Sequence, residues 1–126
     1  MNPFFFISLC LLCFSAFSQE AWVAPESSKA IINPYAGNMI AAQKGERLFQ
    51  KLCWTCHGKT GLGDGPAGAA LNPKPRNFTL SLVQEQKDGE LFWKISNGNG
   101  MMVPYKHSLS EELRWQLVNY IRTFKQ

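Results

Sequence analysis

The sequence predicts an all-α domain, and three observations lead there. Apolar residues recur at helical spacing near residues 39–53, 88–95 and 108–125. No segment reads as a strand. The chain between these stretches is dense in glycine and proline, which interrupt elements rather than extend them. At 126 residues there is room for one domain of ordinary size.

The first 18 residues stand apart. They hold no Lys, Arg, Asp or Glu, and Phe4 to Phe14 form an apolar run. Ala16 and Ser18 then offer small side chains to a signal peptidase, so an export leader cut after Ser18 is expected. The run is shorter than the roughly 20 residues of a spanning helix, and an uncleaved anchor is the alternative. Export would place the domain in a bacterial periplasm or on the outer face of the cytoplasmic membrane, with membrane contact only if the leader stays. Residues 19–38 contain Pro25, Pro34 and Gly37 and have no period. They are expected as an extended arm before a domain at 39–126.

A first helix is predicted over Met39–Cys53, with Ile40, Leu48, Phe49 and Leu52 on one face. Gly45 sits one turn before Phe49. A mid-helix glycine costs about 1 kcal/mol relative to alanine, so Gly45 predicts a close approach by another helix. Residues 58–79, with Gly58, Gly61, Gly63, Gly65, Pro66, Gly68, Pro73 and Pro75, read as a long loop. A loop of that length in a small domain is functional or wraps something. A short helix over Asp88–Ile95 stops at Ser96-Asn97-Gly98-Asn99-Gly100. The last helix is expected to start at Ser108 as N-cap, with Glu111 completing a capping box. Leu113, Leu117, Tyr120, Ile121 and Phe124 form its apolar stripe, and Arg122 and Lys125 suit its C-terminal end.

With the leader set aside, two cysteines remain. Cys53 and Cys56 are separated by Trp54 and Thr55 and followed by His57. A disulfide across two residues closes almost no loop and stabilises little. A thioredoxin-like pair needs a βαβ setting. A zinc site closes poorly on adjacent Cys56 and His57, and His107 is the sole other histidine. The run Cys53-Trp54-Thr55-Cys56-His57 does match C-x-x-C-H, the attachment motif of c-type haem. Two thiols so spaced add to the vinyl groups on one porphyrin edge, and His57 then meets the iron as an axial ligand. Its other ring nitrogen needs a backbone carbonyl, for which Pro66 and Pro73 are candidates and Pro66 is preferred.

A closed haem iron needs a second axial ligand, and a methionine thioether favours the ferrous state. Met1 leaves with the leader, and Met39 precedes the first helix. Met101 and Met102 lie between the stop signal and the last helix. Pro104 biases its neighbour toward extended geometry and helps hold a strap of chain, which favours Met102, with Met101 as the alternative. His107 would give a bis-histidine site instead.

These residues, in this order, resemble the class I monohaem cytochromes c, especially the bacterial branch with the haem subunit of cbb3-type oxidases and small periplasmic cytochromes. The resemblance runs from Gly45 and Phe49 through Cys56-His57-Gly58, Gly63-Asp64-Gly65-Pro66 and Pro73-Lys74-Pro75-Arg76 to Met102-Val103-Pro104-Tyr105 and Trp115 to Arg122. It implies a cytochrome c fold whose first and last helices cross around one covalent haem c, with Gly45 and Phe49 meeting Leu117, Tyr120 and Ile121. It also implies haem-facing roles for Arg76, Trp93 and Tyr105, with Arg76 and Tyr105 as candidate partners of the propionates. Trp54 is expected at the surface and Trp115 in helix packing.

The expected function is electron transfer in a respiratory or other periplasmic redox chain, without catalysis of its own. Donor and acceptor proteins are implied, such as a terminal oxidase or a periplasmic reductase or dehydrogenase. The net charge of +4 comes without a basic run, so nucleic acid is not an expected partner. That charge suits weak steering to an acidic protein, with Lys59, Lys94 and Lys106 as candidates around a haem edge or simply as solvated side chains. The competing readings are a haem-bearing subunit of a larger oxidoreductase, and a peroxidase or gas-binding domain with an open distal position.

Overall fold

A computed structural model describes residues 21–126; the expected leader lies outside the described residues. It contains a 3-10 turn at Glu26–Ala30 and five helices: α1 (Met39–Leu52), α2 (Trp54–His57), α3 (Ser81–Gln84), α4 (Asp88–Asn97) and α5 (Glu111–Arg122). Among the described residues there is no strand, only an isolated bridge between Asn99 and Met102. No described helix is long and apolar enough to cross a membrane.

The architecture is organised by the crossing of α1 and α5. Asn38 caps α1, its side chain accepting the Ala41 N–H at 3.0 Å. At Gly45 the backbone of α5 comes so near that an added Cβ would overlap the Gln116 carbonyl and sit 3.0 Å from the Tyr120 Cβ. Below this crossing Phe49 is fully buried, with ring centroids 5.1 Å from Tyr120, 5.8 Å from Phe124 and 6.2 Å from Phe78. Val83, Leu91, Ile95, Trp115, Leu117, Val118 and Ile121 complete the core.

Three details differ from the expectation. The buried face of α1 is Ala41, Ala42, Gly45 and Phe49, while Ile40 and Leu52 are exposed. A crossing this close selects the smallest side chains, so α1 is turned toward its alanines rather than its largest residues. The α5 N-cap is Ser110, whose Oγ accepts the Leu113 N–H at 3.3 Å. Ser108 and Leu109 are used in a preceding turn on the Tyr105 carbonyl, so the helix starts two residues later and Glu111 becomes its first residue. α5 is buried continuously from Arg114 to Ile121 rather than along one stripe.

The N-terminal segment explains part of that burial. Ser28 and Asn33 are buried, and the 3-10 turn packs on α4. The Asn33 amide donates to Asn119 of α5 at 2.7 Å and to Asp88 of α4 at 2.8 Å. Asp88 in turn pairs with Arg122 at 2.7 Å. Polar residues on the far side of α5 are thus buried with partners, as buried polar groups require.

Candidate haem site

The site begins where α1 ends. Cys53 closes α1, its N–H bonding the Phe49 carbonyl at 2.9 Å, and the chain continues through the single turn of α2, which carries Cys56 and His57. The wrapping loop then takes up the carbonyls of this corner. Gly63 N–H bonds His57 O at 2.8 Å, Gly65 N–H bonds Cys56 O at 3.1 Å, and Ala67 N–H bonds Thr55 O at 2.8 Å. The long loop therefore takes up the carbonyls that end the attachment corner, as buried backbone groups require.

Cys53 and Cys56 are both free thiols and half-buried. Burial, with a smaller contribution from the neighbouring Cys56, pushes the Cys53 thiol up to about 12. Burial also pulls His57 below its ordinary value of 6.5, against the opposing effect of the Arg76 carbonyl. The ring is accordingly neutral at pH 7, the form that ligates a metal. Its Nδ1 faces the Arg76 carbonyl at 3.4 Å, which leaves Nε2 free. This carbonyl corrects the expectation of Pro66 or Pro73: the loop returns past the ring at Arg76, just after Pro75. Phe78, which the sequence did not single out, stacks on His57 at 4.5 Å. Its signal was the lone aromatic in the Gly- and Pro-rich loop.

The strap lies across from α4. Asn99 and Met102 exchange two backbone hydrogen bonds of 2.9 and 3.0 Å, leaving Gly100 and Met101 as a two-residue turn. Gly100 has φ +55°, the glycine-first pattern of a type II′ turn. Met101, at the tip, is 77% exposed, whereas Met102 is half-buried against the core. After Pro104 the strap is tied to α4, with Tyr105 N–H bonding Ile95 O and Lys106 N–H bonding Ser96 O, each at 3.1 Å. The Tyr105 hydroxyl is 3.5 Å from the Leu52 carbonyl. Burial is the main cause that raises its pKa, and the Leu52 contact puts the phenol at the end of α1, next in sequence to Cys53.

Other expected residues fall as follows. The Arg76 side chain is exposed and, among the described residues, its guanidinium makes no hydrogen bond or ion pair. His107 is exposed. Trp93 is half-buried on α4, and Trp115 is buried and stacks on Phe92 at 3.9 Å. Trp54 is half-buried rather than fully at the surface, because it packs against the core edge with Lys59 5.3 Å over its ring. Lys94 is half-buried, 5.5 Å over the Trp22 ring and bonded to Gln86, so it is not a free surface charge. Lys106 is exposed, with its ammonium 3.3 Å from the Asn97 side chain.

These residues fit an iron porphyrin. Two unpaired, half-buried thiols stand three residues apart at the end of α1 and on α2, a neutral imidazole keeps one nitrogen free, and a thioether is available from the strap. Trp54, Phe92, Met102, Tyr105 and Leu109 are half-buried apolar side chains at the core edge. Among the described residues, no cluster of three or more His, Cys, Asp or Glu side chains would hold a metal ion by itself, as zinc would require.

Comparison with known proteins bears on the family and the fold. The family described as cytochrome C oxidase, cbb3-type, subunit III matches residues 40–121. Cytochrome c-L of Methylorubrum extorquens is 32% identical over 91 residues, covering 71% of this chain and 43% of that protein. The chain therefore spans less than half the length of this curated relative. Among solved structures, the KustC0563 c-type cytochrome is 31% identical over 65% of this chain and 98% of that one, with a TM-score of 0.55. Cytochrome cL of Methylophaga aminisulfidivorans superposes with a TM-score of 0.59 over 88% of this chain and 71% of that one; at 21% identity this bears on the fold alone.

Proposed function

This chain belongs to the cytochrome c family described as cytochrome C oxidase, cbb3-type, subunit III, and from that premise we propose that it passes single electrons through one haem c ligated by His57 and Met102. Family membership implies covalent haem c, and Cys53 and Cys56 stand in its attachment motif. When bound, the haem supplies a one-electron iron couple. The chain's residues do the rest. Cys53 and Cys56 would hold the ring edge as thioethers. His57 is kept neutral by burial and is oriented by the Arg76 carbonyl. Met102 would supply the second ligand from the strap, and Tyr105, at the Leu52 carbonyl, would help exclude water at the attachment corner. We assign Arg76, exposed on the returning loop, to a propionate; Tyr105, whose hydroxyl is 3.5 Å from the Leu52 carbonyl beside Cys53, belongs to the thioether edge instead, opposite the propionates.

The observation that carries this reading is Tyr105. Three residues after Met102, its hydroxyl is 3.5 Å from the carbonyl of Leu52, the residue before Cys53, so the strap meets the attachment corner. With both axial positions filled, a substrate has no open iron site, which favours transfer over catalysis. A periplasmic setting is proposed from the charge-free first 18 residues. The family description favours a second form of the same reading, a haem-bearing subunit that stays with an oxidoreductase and passes electrons within it.

Met102→Ala tests the assignment. The variant is expected to lose the weak near-infrared sulfur-to-iron absorption and to fall in potential, while Met101→Ala keeps both. A wild-type protein that lacks this band and binds cyanide or carbon monoxide rapidly would instead be an open haem, and the transfer reading would fail.

A further inference from the structure

Arg114 is a buried cation without an anion. It is 8% exposed, and neither ion pair among the described residues, Lys29–Glu26 or Arg122–Asp88, includes it. A buried charge without a carboxylate is costly, and an apolar side chain of similar length would fill the space without that cost. Packing alone does not explain an arginine at this position.

Its contacts do. The guanidinium lies 4.7 Å over the Phe92 ring and donates to Ser96 Oγ. Ser96 Oγ donates back to Phe92 O at 2.6 Å, so one turn of α4 is gripped as a unit. On its other side Arg114 Nε donates to Ser110 O at 3.4 Å. Ser96 and Ser110 are the two ends of the segment that carries Met102. The carbonyls of Ile95 and Ser96, at the gripped turn, are those from which Tyr105 and Lys106 hang.

We propose that Arg114 is a positioning residue for the axial methionine: one side chain clasps both ends of the 96–110 segment and so holds Met102 on the iron. The inference rests on Met102 being the ligand. Free imidazole is the probe, because it binds the ferric protein only when the methionine has left. Relative to wild type, R114M is expected to bind imidazole roughly tenfold faster or more, the scale of one lost charged hydrogen bond, with a weakened near-infrared band. S96A, which removes one end of the clasp and with it the charged hydrogen bond from Arg114, moves the same way by about tenfold and by no more than R114M.

V83A lies in α3 at a buried core position that shares no hydrogen bond with the clasp, and serves as the control for general loosening. It is expected to lower the denaturant midpoint at least as much as R114M while leaving the imidazole rate within about twofold, as sites without shared partners act independently. Wild-type rates in R114M and S96A, or an equal acceleration in V83A, overturn the clasp. If R114M does not fold, S96A against V83A decides. A wild type without the near-infrared band overturns the Met102 assignment itself. A wild type with the band and an unmoved R114M rate overturns the clasp alone.

Discussion

The attachment corner and the strap are built in different ways. On the attachment side, Cys53, Cys56 and His57 are contiguous, they sit on one helical corner, and the loop that follows immediately takes up the corner's own carbonyls. On the strap side, Met102 is held from a distance, by hydrogen bonds of Tyr105 and Lys106 to the end of α4 and by the side chain of Arg114 on α5. The first side is local in sequence and covalent in chemistry. The second depends on three separate elements keeping their places. With Met102 as the proposed ligand, an electron carrier would profit from this division: the cofactor could not leave, and the strength of the second ligand would be set by tertiary packing. The strap side would then be where the potential and the resistance to foreign ligands are tuned.

The comparison can be broken most severely on the attachment side. Replacing both Cys53 and Cys56 by serine should abolish covalent haem altogether, read as loss of haem staining on a denaturing gel. Haem retained through denaturation in that variant would refute the attachment assignment. A strap variant should do something different. Gly98 has φ +63° and ψ 179°, and a Cβ there would overlap the Met102 carbonyl and sit 2.7 Å from the Pro104 nitrogen. Gly98→Ala should therefore cost about 1–3 kcal/mol of backbone strain, weaken the near-infrared band and leave the haem covalently attached. A variant with an unaltered band would show that the strap is not strained there.

Acid separates the sides by a smaller amount. Burial holds His57 below its unfolded value of 6.5, so the folded chain binds fewer protons at this site than the unfolded chain. Its contribution to stability is complete above 6.5 and is lost as pH falls through the folded value. The denaturant midpoint should drop between pH 7 and pH 5, and a midpoint that rose over that interval would contradict a neutral, buried His57. The smallest effect concerns where the strap segment ends. Ser110→Ala should cost about 1 kcal/mol by removing the α5 cap, and Ser108→Ala should stay within about 0.5 kcal/mol. Thermal unfolding of the pair checks the order; equal losses would return the cap to Ser108.

Much of this was legible before the structure. Gly45 announced the helix crossing because a glycine in mid-helix has a cost that only close packing repays. The attachment motif was legible because its chemistry needs five consecutive residues. What escaped notice was non-local. The His57 partner is a carbonyl of Arg76, 19 residues away, and no residue type marks a backbone acceptor. The α1 face was misread because counting large apolar residues ignores how near the partner helix comes, so Ile40 was favoured over Ala41 and Ala42. Ser108 and Ser110 are equally good caps by composition, and only the turn on Tyr105 decides between them.

The sequence by itself determined the helical class, the attachment motif with its haem c and the glycine at the crossing, because each rests on spacing within a few residues. Only the tertiary structure decided which carbonyl faces His57, that Met101 is exposed while Met102 packs inward, and that a buried arginine joins the two ends of the strap segment. Those features depend on which distant backbone groups are left unpaired once α1, α4 and α5 have packed, and a linear pattern does not record that.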